Sequence, residues 1–258
     1  GEFWQYPNSG GADSHRKKII DKYLGERERQ VIRINFSEEK EQEGLFFTYG
    51  SQQALAYMAK MLVDQEKATH ENPVELAVTD PVYPGLLMAV KEFLDQGVLK
   101  LRVVPIDEAG NLNAQELEDA LRNPRCKAFY LSEGNPMPVR FANLSEVADT
   151  LKRPEFQDKL VFEDRAYLGL GATEKNSLFD LLPDRVVAFE TFSKKGAPFR
   201  VGLVYSNMTP ERFRFIRDTY CKYQYNGELG YSGALSGITY AILEFDSQTE
   251  SLHRFTQQ

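Results

Sequence analysis

The segment AFETFSKKGAPFRVG, residues 188–202, closes an apolar run with Thr191, Ser193, Lys194 and Lys195 and then places Arg200 before the next apolar stretch. Two hydroxyls and a guanidinium this close can hold an anion, the guanidinium through paired N–H donors. A lysine partly desolvated beside that arginine holds its proton less tightly, because burial and a neighbouring cation both disfavour the ammonium form. It becomes a usable amine nucleophile. The competing reading of the same residues is a solvated turn between two strands. Other polar residues bear on the choice. Gly50, Ser51 and Gln52 stand where a turn opens a helix, so backbone N–H groups and the positive end of a helix dipole would form an anion site there. Asp164 and Tyr167 follow a further apolar run and could bind the edges of a heteroaromatic ring, with Tyr83 lying on its face.

These groups act together only if the fold collects them. The chain has 258 residues, 42% of them apolar and 27% charged, enough for one large α/β domain or one domain and part of another. A net charge of −7 argues against nucleic acid or an anionic membrane as the main partner. The cysteines are Cys126 and Cys221 and the histidines His15, His70 and His253, which supports neither a disulfide framework nor a metal site. No apolar run reaches the length of a membrane span and the first residues show no signal-peptide pattern, so a cytoplasmic protein is expected. Gly1-Glu2-Phe3 reads as an appended scar.

Periodicity then lays out the elements. Residues 13–28 read as an amphipathic helix with Ile19, Ile20, Tyr23 and Leu24 as its stripe, and residues 30–38 as a strand. A turn at Gly50 leads into a helix with Leu55, Met58, Ala59 and Leu62 on one face. Strand, Pro-bounded loop and helix follow as far as Gly97, and the alternation continues through a strand near 99–105, a helix near 113–123 and a strand ending before a Gly-Asn-Pro loop. A helix stopping at Pro154 and a strand near 159–164 come next, then a strand pair spaced for a hairpin near 185–207 and a helix opened by Pro210. Strands alternating with helices predict an α/β fold with a mostly parallel, wound sheet flanked by helices, in which the last hairpin makes one edge or inner pair antiparallel.

In such a sheet ligands bind beyond the carboxyl ends of the strands. Asp80 to Tyr83, Asn135, Asp164 with Tyr167, and Thr191 with Ser193 and Lys194 all follow strands, and Gly50 opens a helix. An anion cradle, an acid for a ring nitrogen, a phenol for a ring oxygen and a Schiff-base lysine together specify pyridoxal 5′-phosphate (PLP).

TYGSQQAL, TDPVYPG, EGNPMP, FEDRAY and TFSKKGAPFRVG also stand in the order and approximate spacing of the class I/II aminotransferases, and the chain resembles that PLP fold type I family from Tyr6 to about Tyr240. The resemblance implies that Lys194 carries the Schiff base and moves protons at the substrate. It implies that Asp164 faces the pyridine nitrogen, that Tyr167 and Asn135 bond the ring oxygen, and that Tyr83 stacks on the ring. Gly50, Ser51, Gln52, Thr191, Ser193 and Arg200 would hold the phosphate, and Tyr6 would reach the cofactor of a second subunit in a homodimer. Lys195 becomes a bystander. A large domain over residues 4–210 and an interdomain helix with the start of a small domain over 211–258 are implied as well.

The match is incomplete in two places. The stretch from Lys194 to Arg200 is a little shorter than the family pattern, with Phe199 where a glycine is common. The small domain that supplies the family's substrate-carboxylate arginine has no counterpart after GYSGALSGITYAILEF, and Arg254 comes too early for that role. A truncated chain, a natural fragment or a reduced enzyme is therefore expected. The reading implied is an aminotransferase acting on an amino acid and a 2-oxo acid. The alternatives are another fold type I reaction (decarboxylation, elimination or oxidation) and a non-catalytic PLP-binding domain.

Overall fold

The computed structural model describes residues 45–132, 141–166, 177–191, 193, 202–209, 212 and 216. The helix and strand expected before residue 40 lie outside them, and of the helix expected after Pro210 only Arg212 and Ile216 are described, both helical. The sheet strands are β1 (Leu45–Thr48), β2 (Val74–Asp80), β3 (Leu99–Pro105), β4 (Cys126–Ser132), β5 (Leu160–Asp164), β6 (Val186–Thr191) and β7 (Gly202–Ser206). Between them run α1 (Gly50–Gln65), α2 (Pro84–Asp95), α3 (Ala114–Arg122), α4 (Leu144–Leu151) and a short α5 (Leu178–Leu181).

The strands form one seven-stranded sheet in the order β1-β7-β6-β5-β4-β2-β3. Pairing is parallel from β6 through β5, β4 and β2 to β3, while β7 is antiparallel to both β6 and β1. The wound, mostly parallel α/β sheet expected from the alternation is present. Its hairpin strand is an inner one, since β1 covers it. That short strand and the single-turn α5 escape periodicity, because neither is long enough to show a repeat.

Local sequence explains where the helices begin and end. Pro84 opens α2 at a position where its missing N–H costs nothing, and Gly97, at φ +68°, follows its end. The Asn113 side chain accepts from the Glu116 N–H at 3.1 Å and caps α3. Helix α1 buries Ala54, Leu55, Met58, Ala59, Met61 and Leu62, the helical spacing of a single face.

Two apolar layers result, one on each side of the sheet. The first joins α1 and α2 to Val78, Tyr130, Phe162, Phe189 and Val204. The second joins α3, α4 and α5 to Phe129, Leu131, Val161, Ala188 and Tyr205. The alternation of side chains along each strand assigns neighbouring residues to opposite layers.

A buried polar network sits in the second layer. Glu163 accepts from Ser177 Oγ at 2.9 Å, Leu178 N at 2.8 Å and Phe179 N at 3.0 Å, which anchors the start of α5. Burial pushes its carboxyl above the ordinary range, partly offset by Arg165 nearby and by these donors. Arg165 donates to Tyr205 Oη at 2.7 Å, and that hydroxyl donates to Glu190 Oε1 at 3.2 Å. Glu163→Ala strands buried donors, and urea denaturation is expected to show a loss of about 2–4 kcal/mol.

Candidate functional site

The C-terminal ends of the parallel strands bring Asp80, Ser132, Asp164 and Thr191 to one edge of the sheet. Ser132 stands opposite Asp164 in the β4–β5 register, and Thr191 stands opposite Gly202 between β6 and β7. Gly202 in turn pairs with Thr48 of β1, just before α1 begins. Asp164 lies two residues beyond Phe162 and Thr191 two beyond Phe189, so both project toward the layer that carries α1 and α2.

The N terminus of α1 meets Thr191 directly. Gly50 adopts φ +71°, and a Cβ added there would stand 3.5 Å from Thr191 Oγ1. Thr191 Oγ1 accepts from the Ser193 N–H at 3.2 Å and donates to Ser193 Oγ at 3.1 Å. No side chain at the N-cap, Tyr49, closes the helix end, and its first turn has no acidic residue. Ser51 is buried and Gln52 half-buried. Main-chain donors and two hydroxyls thus converge on one spot at the positive end of a helix, the arrangement that binds a phosphate or another anion.

Asp164 is 0% exposed. Its Oδ1 accepts from the Ala166 N–H at 3.0 Å and its Oδ2 from Tyr130 Oη at 3.1 Å. Burial outweighs these two neutral donors and raises the carboxyl from 3.8 to about 6. Among the described residues no cationic side chain pairs with it. A buried acid in that condition is suited to a cationic ligand group that arrives from outside.

Tyr83 is half-buried at the start of α2, with its ring over Gly85, where an added Cβ would lie 2.3 Å from Cε1. The glycine therefore makes room for that ring. Of the residues singled out by sequence, Gly50, Ser51, Thr191 and Ser193 come together at the helix end, and Asp164 and Tyr83 flank the same sheet edge. Tyr6, Asn135, Tyr167, Lys194, Lys195 and Arg200 lie outside the described residues. Three further residues belong to this edge: Tyr130, outside every quoted motif, bonds Asp164, while Thr48 and Gly202, which stand in the motifs without an assigned role, support Gly50. Only the parity of Tyr130 with Ser132 along β4 hinted at its face.

No family model matches the chain, and no curated protein matches it by sequence. Solved structures do match by shape. An alanine aminotransferase from Pyrococcus furiosus aligns with a TM-score of 0.71 at 18% identity, over 98% of this chain and 60% of that one. An aromatic aminotransferase from Pyrococcus horikoshii gives 0.71 at 18%, over 99% and 64%. A double mutant of the Thermus thermophilus aspartate aminotransferase gives 0.67 at 18%, over 98% and 60%. The class defined is therefore a fold: the chain has the fold type I architecture of these aminotransferases. It spans about 60% of the length of the solved chains it matches.

Proposed function

We propose that this protein is a PLP-dependent aminotransferase that exchanges an amino group between an amino acid and a 2-oxo acid. The observation that carries the reading is the shared sheet edge of a buried acid, Asp164, with no cationic partner among the described residues, and a cluster of anion-binding groups at the start of α1. The fit to the cofactor is chemical: Asp164 suits a protonated ring nitrogen, and Gly50, Ser51, Thr191 and Ser193 suit its phosphate. The likeness to aminotransferase structures supports the same reading. When bound, PLP supplies an electron sink that stabilises the negative charge developing at the substrate α-carbon.

The protein's own groups then have defined tasks. Asp164, whose carboxyl burial raises to about 6, would ionise fully once a cation faced it and would keep the ring nitrogen protonated. The α1 end and the Thr191–Ser193 pair would hold the phosphate, with Gln52 and Arg200 assigned to the same anion. Tyr83 would cover one face of the ring, and Asn135 with Tyr167 are assigned to its oxygen. Lys194 is assigned the covalent attachment and the proton transfer at the α-carbon.

The assembly belongs to the proposal too, as a cytoplasmic homodimer in which Tyr6 reaches the partner's cofactor. Among the described residues no helix is long and apolar enough to cross a membrane, and no cluster of residues could hold a metal ion.

The test begins with purified protein and added PLP. A visible absorbance from lysine-bound cofactor is expected, lost in Lys194→Ala and retained in Lys195→Ala. Equal loss in the two variants overturns the lysine assignment, and absence of the band in the unaltered protein overturns the reading. Conversion of bound cofactor to its amine form by a panel of amino acids separates an aminotransferase from a PLP-binding domain without activity.

A further inference from the structure

We propose that Tyr130 is a positioning residue for the cofactor ring, acting through Asp164: its hydroxyl pins the carboxyl so that the acid points at the ring nitrogen. The proposal rests on the PLP reading and adds to it a residue that no motif marks. Its ground is geometric. Tyr130 is 0% exposed, and its Oη donates to Asp164 Oδ2 at 3.1 Å across adjacent parallel strands. The Ala166 N–H holds the other oxygen at 3.0 Å. A carboxyl grasped at both oxygens cannot rotate about χ2, and each oxygen keeps a lone pair for a further donor.

The chemistry of a phenol suits the task better than that of a cation. A lysine or arginine at this place would neutralise Asp164 permanently and compete with the ring nitrogen. A neutral donor orients the acid and leaves its charge available. The phenol itself stays protonated: burial and the neighbouring Asp164 carboxylate push its proton affinity well above the ordinary tyrosine value. Its other polar neighbours are Ser132, on the same strand, and Tyr83, at the start of α2. The direction of donation is therefore set, from Tyr130 to Asp164. The aromatic ring of Tyr130 is part of the layer packed under α1 and α2, which fixes where the hydroxyl stands.

Tyr130→Phe keeps that ring and removes only the hydroxyl. Affinity is measured for PLP and for its 1-deaza analogue, which lacks the ring nitrogen, in the unaltered protein, Tyr130→Phe, Asp164→Asn and the double variant. Tyr130→Phe is expected to weaken PLP about tenfold, the loss of one hydrogen bond to a charged acceptor, and to leave the deaza analogue nearly unchanged. The double variant is expected to bind PLP no more weakly than Asp164→Asn alone. Equal weakening of PLP and analogue, or additive losses in the double variant, would mean that Tyr130 serves general packing and overturns the proposal. If the unaltered protein takes up PLP and Tyr130→Phe matches it, only the role of Tyr130 falls. If the unaltered protein takes up none, the PLP reading falls and this proposal falls with it.

Discussion

Asp164→Asn is expected to stabilise the cofactor-free protein at pH 8 while sharply weakening its hold on PLP. The sign follows from linkage. The folded carboxyl is raised from 3.8 to about 6, so the unfolded chain gives up its proton first as pH rises. Folding stability therefore falls as pH climbs through that window and stays lower above it. The full cost corresponds to about 3 kcal/mol for a group of this burial. Asparagine carries no charge to desolvate and can still accept from the Ala166 N–H, so the variant avoids most of that cost. Thermal melts of the two cofactor-free proteins should separate above pH 6 and converge below pH about 4. On the proposed PLP reading the order is expected to reverse with cofactor present, because asparagine can accept from a protonated ring nitrogen but only the carboxylate offsets its charge. A variant that melts lower than the unaltered protein at pH 8 without cofactor refutes the account of Asp164 as a strained, cation-seeking acid.

The second large effect belongs to Gly202→Ala. A Cβ there would lie 2.6 Å from Thr48 Oγ1, 2.7 Å from Gly50 Cα and 2.8 Å from Glu190 O. Two of these three atoms are backbone, and Thr48 is itself buried and donates to Gly50 O at 3.0 Å. None is the free end of a long side chain, so the strands or the helix end must move. Overpacking of this kind costs about 1–3 kcal/mol and more where backbone is displaced. The predicted reading is a destabilisation of about 3 kcal/mol in urea, only partly relieved by Thr48→Ala, since the contacts to Gly50 and Glu190 remain. Displacement of Gly50 also opens the gap to Thr191 Oγ1. Inorganic phosphate and PLP should then both bind more weakly, whereas Asp164→Asn should spare phosphate. That contrast separates the proposed anion cradle from the proposed ring-nitrogen acid.

Both effects depend on atoms from strands far apart in sequence, which marks the boundary of what the chain discloses on its own. The helical spacing in α1, Pro84 and Gly97 around α2, and the repeated passage from apolar run to polar loop are local signals, and each produced the element expected. They suffice for the wound sheet, because short apolar runs separated by amphipathic helices have few other ways to bury their faces. The placement of Asp164, Thr191 and Ser193 at the sheet edge was legible because they follow strands, whose ends converge in this class of sheet, and that of Gly50 because a turn opens a helix there.

Alternation alone says that Glu163 and Asp164 face opposite sides of β5. It does not say which side holds helix α1 and the anion cradle and which holds α5. Packing decided that, by placing Glu163 among the donors that anchor α5 and Asp164 against the hydroxyl of Tyr130. The partnership of Tyr130 with Asp164 needs the register between β4 and β5, and the close passage of Gly202 under Gly50 needs β7 inserted between β1 and β6. Residue types and their order determine the chemistry available at the sheet edge, because those properties are local. Which groups share a face and touch is set by cross-strand register and helix packing, which are long-range and exist only once the sheet has formed.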